Sequence, residues 1–201
     1  MKRNTTVAVA CVLGCGWLGA APTPCVTATL ADYIALGAQG CTLNGDVFAN
    51  FSYRAGASGG AAAITADQII ITPLVLVPAG ARLNFSGPWS VGSDQTQESV
   101  VSYTIVPPSG GPASSQLQLA LGTASVAGII GAVAVQETTN VGKLHVFNRC
   151  TEVCQAKTNS SQDFASVSVV LVTEHVHLSG GTGGASLSEF GTTLDRCPLC
   201  V

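Results

Sequence analysis

The sequence predicts an all-β fold: an antiparallel β-sandwich, jelly-roll-like in its strand pattern and stapled by disulfides. Three observations point there. Charged residues make up only 9% of the 201-residue chain, while hydrophobic residues make up 47%. That balance excludes a disordered chain, which needs low hydrophobicity and high net charge, and a helical bundle, whose exposed faces carry Glu and Lys. Short runs of alternating apolar and polar residues recur along the chain, separated by Gly, Pro and Asn turn signals. Six cysteines follow residue 21, an even number that suits a disulfide framework in an exported chain.

The chain begins with an export signal. Lys2 and Arg3 form a basic start, residues 7–20 are uncharged and mostly apolar, and Gly19-Ala20-Ala21 offers a small-residue cleavage site. The expected organisation is therefore a signal peptide over 1–21 and a single β-sandwich domain over 22–201. The apolar run is shorter than the ~20 residues a membrane span requires, and Pro22 and Pro24 break up the residues beyond it, so no span is expected after signal removal. Within the signal, Val12-Leu13-Gly14-Cys15 has the shape of a lipoprotein cleavage box. Against lipidation of Cys15, the run before it is short, and Cys11 and Cys15 also suit an apolar segment.

Residues 29–36 form the only helical pattern. Residues 47–53 alternate as a strand that Gly56–Gly60 breaks, and residues 61–65 are small and flexible in character. Residues 68–77 are rich in β-branched side chains, and Pro73 among them removes a ladder donor, which marks an edge or a bend. Leu83 and Phe85 share one face of residues 81–85. Residues 98–106 set Val101, Tyr103 and Ile105 against Ser102 and Thr104, a half-buried strand. Residues 107–112 read as a turn. Residues 116–121 repeat the alternation with Leu117, Leu119 and Leu121 inward. Residues 124–137 and 143–147 flank a turn at 140–142. A polar loop is expected over 152–162, a long strand run over 164–178, a flexible break at 180–184 and a short segment of unclear type over 185–190.

Cys25 and Cys41 flank a local loop, and closing it is worth ~3 kcal/mol on the chain-entropy model. Cys150 with Cys154, and Cys197 with Cys200, form two further clusters. These either bond internally or tie the C-terminus to the 150 loop, the latter constraining more chain. Four thiolates of these clusters also have a spacing that could hold a tetrahedral zinc, but export places them where thiols oxidise.

Candidate chemistry is sparse. In Glu174-His175-Val176-His177 a strand would put His175 and His177 on one face, with Glu174 on the other; His145 could add a third imidazole to a metal site. The competing reading is a solvated strand face. Gly56-Ala57-Ser58-Gly59-Gly60 matches G-x-S-x-G, but lacks the strand and helix of a nucleophile elbow. Asp94, Glu98, Glu137, Glu152 and Asp163 lie mostly in turns or at strand ends and form no carboxylate motif. Trp89, Tyr53 and Tyr103 could form a sugar-stacking platform, while Trp89 also suits closure of one end of the core. With a net charge of −3 and eight Lys+Arg, the chain offers no basic surface for nucleic acid. No cofactor is expected.

Cys25, residues 29–37, Gly40-Cys41-Thr42, Phe48-Ala49-Asn50-Phe51-Ser52-Tyr53, Asn84-Phe85-Ser86-Gly87-Pro88-Trp89, Ser102-Tyr103-Thr104, Val135-Gln136-Glu137-Thr138 and Gly183-Gly184-Ala185-Ser186-Leu187-Ser188 together carry a resemblance. They resemble exported bacterial β-sandwich proteins of no assigned activity, many of which end in a PEP-CTERM sorting tail. The resemblance covers residues 25–190 and implies fold and compartment only. The end departs from it, with Asp195-Arg196-Cys197-Pro198-Leu199-Cys200-Val201 in place of that tail.

The sequence thus leads to a secreted, non-catalytic surface or extracellular-matrix protein with a structural or interaction role. Two alternatives stand beside it: a module binding extracellular polysaccharide, with Trp89 and a Tyr on one exposed face, and a metal-dependent enzyme in which His145, His175 and His177 converge. Gly-rich strands with little charge also permit self-association through edge strands.

Overall fold

The computed structural model describes residues 22–77, 80–108, 114–165 and 167–196. Residues 1–21, with the expected signal peptide and Cys15, lie outside the described residues, as do Cys197 and Cys200. Among the described residues, fifteen strands run in the order β1 (Thr23–Pro24), β2 (Ala28–Thr29), β3 (Cys41–Leu43), β4 (Asp46–Ser58), β5 (Ile70–Leu76), β6 (Gly80–Val91), β7 (Thr96–Val106), β8 (Ser114–Leu121), β9 (Ala124–Ala127), β10 (Gly131–Thr139), β11 (Lys143–Cys150), β12 (Cys154–Lys157), β13 (Asn159–Ala165), β14 (Val170–Ser179) and β15 (Gly184–Asp195). One short helix, α1 (Leu30–Ala35), follows β2. Thr29 caps it: its hydroxyl accepts from the Asp32 backbone N–H, and the Asp32 carboxylate accepts from the Thr29 N–H, which satisfies two donors left free at a helix start.

The strands form two sheets packed face to face, and the fold is an antiparallel sandwich as expected. The larger has the order β1-β3-β4-β7-β14-β10-β11-β12, and the smaller β13-β8-β15-β6-β5-β2, with β9 pairing to β15. All neighbours are antiparallel except β1 with β3. Period-2 alternation decides which side chains meet between the sheets. Val101, Tyr103 and Ile105 of β7 are buried, as are Leu117, Leu119 and Leu121 of β8, matching the alternation read from the sequence. A run of rings threads the core: Tyr33 edge-on to Phe51 at 5.0 Å, Phe51 stacked on Tyr103 at 5.1 Å, then Phe85 stacked on Phe190 at 4.9 Å. Tyr103 and Phe85, 6.1 Å apart, join the two sheets. Each such fully buried apolar side chain contributes roughly 1.5–3 kcal/mol.

Turn chemistry sets the connections. Asn44 and Gly45, both at positive φ, make a two-residue turn between β3 and β4, the geometry an Asn-Gly pair favours. Gly40 has φ +60° and packs where a Cβ would lie 2.2 Å from the Phe48 carbonyl oxygen, so no other residue fits there without a shift. Pro73 lies on β5, which β2 covers only at Ile70 and Ile71; the rest of that edge is open, as a strand proline requires.

Three expectations are corrected. Strand β4 continues through Gly56 to Ser58 instead of breaking there, because β7 pairs with it along that whole length. The polar stretch 152–162 is not a loop but β12 and most of β13, edge strands whose backbone pairing needs no buried face. Residues 185–190 belong to β15, a central strand flanked by β6 and β8. A bulge between Leu187 and Glu189 interrupts its alternation and hides the period.

Among the described residues, two disulfides close local loops: Cys25–Cys41 and Cys150–Cys154. The second is internal, so the alternatives in which Cys150 and Cys154 tie to the C-terminus or ligate zinc are overturned. These bonds fit an oxidising environment. Among the described residues, no helix is long and apolar enough to cross a membrane.

Candidate functional site

Strand β14 sits between β7 and β10, at the centre of the larger sheet. Its alternation buries Val172, Glu174, Val176 and Leu178 and turns Thr173, His175 and His177 outward, in keeping with the tetrapeptide pattern. Glu98 of β7 is the cross-strand partner of His177. Its two carboxylate oxygens divide between the imidazoles, Oε1 at 3.2 Å from His177 Nδ1 and Oε2 at 3.9 Å from His175 Nε2. His145 does not join them. Gln136 of β10 is the register partner of both His145 and His175, so two strand spacings, roughly 10 Å, separate the histidines. His145 lies instead against Phe147, with ring centroids 5.3 Å apart. The expected convergence of three imidazoles is therefore corrected, and among the described residues no group of three or more His, Cys, Asp or Glu is arranged to hold a metal ion.

The aromatic platform is corrected as well. Trp89 and Tyr103 are buried and Tyr53 is half-buried. Trp89 packs against Phe190 and donates from Nε1 to Ser99 Oγ at 3.1 Å. Tyr53 donates to the Ile64 carbonyl at 2.9 Å and shares a bond with the same Ser99 hydroxyl. Burial raises the Tyr53 pKa, and the Ser99 bond offsets part of that. These rings close the core and leave no common exposed face for a sugar; the physical reason is that each polar tip finds a partner inside.

A carboxylate pair does exist, but inside the core. Glu137 of β10 and Glu174 of β14 are register partners, and both are fully buried. Thr192 of β15 donates to Glu137 Oε2 at 2.7 Å and also meets Glu174 Oε1, while the Tyr103 hydroxyl donates to Glu174 Oε1 at 3.3 Å. Burial raises both carboxyl pKa values, and the Glu137 charge pushes Glu174 up further. Burial and the neighbouring glutamates likewise raise Tyr103 well above the usual phenol value. Two carboxylates in contact and out of water cannot both ionise readily, so the pair favours sharing one proton. Alternation alone puts Glu174 opposite the histidines, whereas Glu137 carries no sign of a partner in the sequence. Only the register of β10 against β14, which a single sequence does not state, brings the two together.

The outward face of the larger sheet carries the open polar surface. Two adjoining cavities share Arg54 and Val100: one of about 340 Å³ is bounded by Ser52, Ser102 and Thr173, the other of about 200 Å³ by Gly56, Glu98 and His175. Arg54 and Glu98 are exposed, and the Ser102 and Thr173 hydroxyls bond each other at 3.1 Å. The groove thus presents a guanidinium, a carboxylate, an imidazole and several hydroxyls over a rigid central sheet. No signal in the single sequence points to Arg54, because its role depends on β4 pairing with β7.

No family model and no curated protein matches the chain. Among solved structures it is similar to the carbohydrate-binding module TmCBM61 in complex with β-1,4-galactotriose, with 10% identity over 70% of this chain and 86% of that one and a TM-score of 0.26. It is also similar to the enzymatically active domain of bacteriophage CBA120 tailspike protein 4, with 11% identity over 68% of this chain and a TM-score of 0.27. This chain spans 18% of that tailspike chain. Likeness at these scores carries no argument about function.

Proposed function

We propose that the protein is a non-catalytic extracellular interaction module that binds polysaccharide on the outer face of its larger sheet. The groove over β4, β7 and β14 carries this reading. Arg54 supplies forked donors, Glu98 accepts, and Ser52, Ser102 and Thr173 both donate and accept, a set suited to the vicinal hydroxyls of a sugar. The two disulfides fit a place outside the cytoplasm. The test is native electrophoresis through gels containing soluble polysaccharides. Retardation by at least one glycan, lost in Arg54→Ala and Glu98→Gln, is the expected result. Unchanged mobility of the wild-type protein in every gel would overturn the proposal.

A second reading, self-association through an edge strand, is favoured by β5. Beyond Ile71 its outer edge is open, and the neighbouring side chains include Val75 at 60% and Val77 at 93% exposure. An open apolar edge is a template for pairing with a second copy. Sedimentation velocity should show concentration-dependent association that Val75→Lys abolishes; a wild-type monomer at high concentration removes this reading.

A further inference from the structure

The six basic residues among those described are distributed unevenly. Arg196 is paired with buried Asp46, and Arg82 is half-buried beside Asn84. Arg54 belongs to the groove already described. The remaining three, Lys143, Arg149 and Lys157, gather at the far edge of the larger sheet, on β11 and β12. Lys143, His145, Phe147 and Arg149 alternate along the outer face of β11, so the stripe runs about 20 Å at ~3.3 Å per residue. Lys157 is the register partner of Phe147 on β12. Arg149 stacks on Phe147, with its guanidinium carbon 4.9 Å from the ring centroid.

These cations lack carboxylate partners among the described residues. Arg149 donates to the neutral Gln155 amide oxygen at 2.7 Å, and Lys157 donates to Ser160 Oγ at 3.0 Å. The local field is positive: burial, then Lys157 and Arg149, lowers the His145 pKa. At Lys157 the stripe meets a polar cavity of about 400 Å³ lined also by Gln116, Gln118, Asn159, Ser160 and Ser161. Cations that can meet carboxylate or sulfate and one half-exposed ring for the apolar face of a pyranose thus line the outer face of β11 and β12, and at Lys157 the amides and hydroxyls of the cavity adjoin them for sugar hydroxyls.

We propose that this β11–β12–β13 edge is a second binding site, separate from the groove, and that it takes an acidic polysaccharide bearing carboxylate or sulfate groups. A nucleic acid fits less well. The edge offers one ring rather than a row for base stacking. The proposal stands or falls independently of the groove.

The test is affinity electrophoresis and calorimetry of the full chain with polygalacturonate, dextran sulfate, neutral dextran and a single-stranded oligonucleotide. Binding to at least one acidic polysaccharide, weakening with salt and absent with neutral dextran, is expected. Loss of one exposed cation in Arg149→Gln or Lys157→Gln should weaken it about fivefold, and the double variant roughly tenfold or more. Phe147→Ala should weaken binding without changing the salt dependence, and Arg54→Ala should leave it unchanged. All four positions are exposed or half-exposed, so unaltered thermal melting will show that the variants fold. Equal retention by neutral dextran, tighter binding of the oligonucleotide, loss of binding in Arg54→Ala, or indifference to Arg149→Gln and Lys157→Gln would each overturn the assignment.

Discussion

Replacing Glu174 by Gln tests the buried acid pair directly. In the folded protein burial raises both carboxyl groups above the ordinary value of 4.5, and Glu174 further because Glu137 faces it. The sign comes from linkage: the fold retains a proton that the unfolded chain releases, so the pair's contribution is fully present below pH 4.5 and declines as pH rises towards the folded value. Each group still protonated only in the fold costs about 1.4 kcal/mol per pH unit. Stability therefore falls by up to about 1.4 kcal/mol per pH unit as pH rises above 4.5, for as long as the fold keeps the proton. The amide introduced by Glu174→Gln would keep the shape, accept from Tyr103 and offer an N–H to Glu137, leaving one buried carboxyl in place of two. Urea denaturation with disulfides intact, at half-unit steps from pH 4.5 to 7.5, measures the difference. Wild-type stability should fall across this window more steeply than the variant's, because the variant keeps only the buried Glu137. Parallel curves for the two proteins would refute the shared proton.

Two further perturbations probe other parts of the fold. Arg196→Met leaves Asp46 buried without its cation, and Asp46 is already pushed up by burial and held down only by Arg196; the expected loss is about 3–5 kcal/mol by chemical denaturation, and a loss below about 1 kcal/mol would mean water replaces the cation. Ile130, at φ +64° and 66% exposed, is a β-branched residue in left-handed backbone. Ile130→Asn should stabilise by about 1 kcal/mol, seen as a higher urea midpoint, whereas destabilisation would show that the turn relaxes around Ile.

The sandwich is legible wherever alternation is clean and both neighbours are long. Strands β7 and β8 show their buried faces as Val101, Tyr103, Ile105 and Leu117, Leu119, Leu121, and the helix shows as the short pattern at 29–36. Strands β12 and β13 are hidden because they are edges held by backbone pairing and the Cys150–Cys154 bond, with almost no buried side chains. The site is less legible still. Aromatic residues invite a surface reading, yet the polar tips of Trp89 and Tyr53 both reach Ser99. The groove gathers residues far apart in the chain, such as Arg54 with Glu98, through register alone.

Period-2 alternation gives the larger sheet two chemically separate faces, and β14 carries both. Glu174 points into the core to Glu137 and Thr192, while His175, one residue on, lines the groove with Arg54 and Glu98. A residue changed on one side therefore alters stability or binding with little need to alter the other. Glu174→Gln should shift the pH dependence of unfolding while glycan retardation persists at a pH where both proteins are folded. Arg54→Ala should do the reverse, because Arg54 is exposed and lies on the face opposite the acid pair. If Glu174→Gln abolished binding with the fold intact, the inner pair would have to set the geometry of the outer face, and the groove would then be controlled from the core.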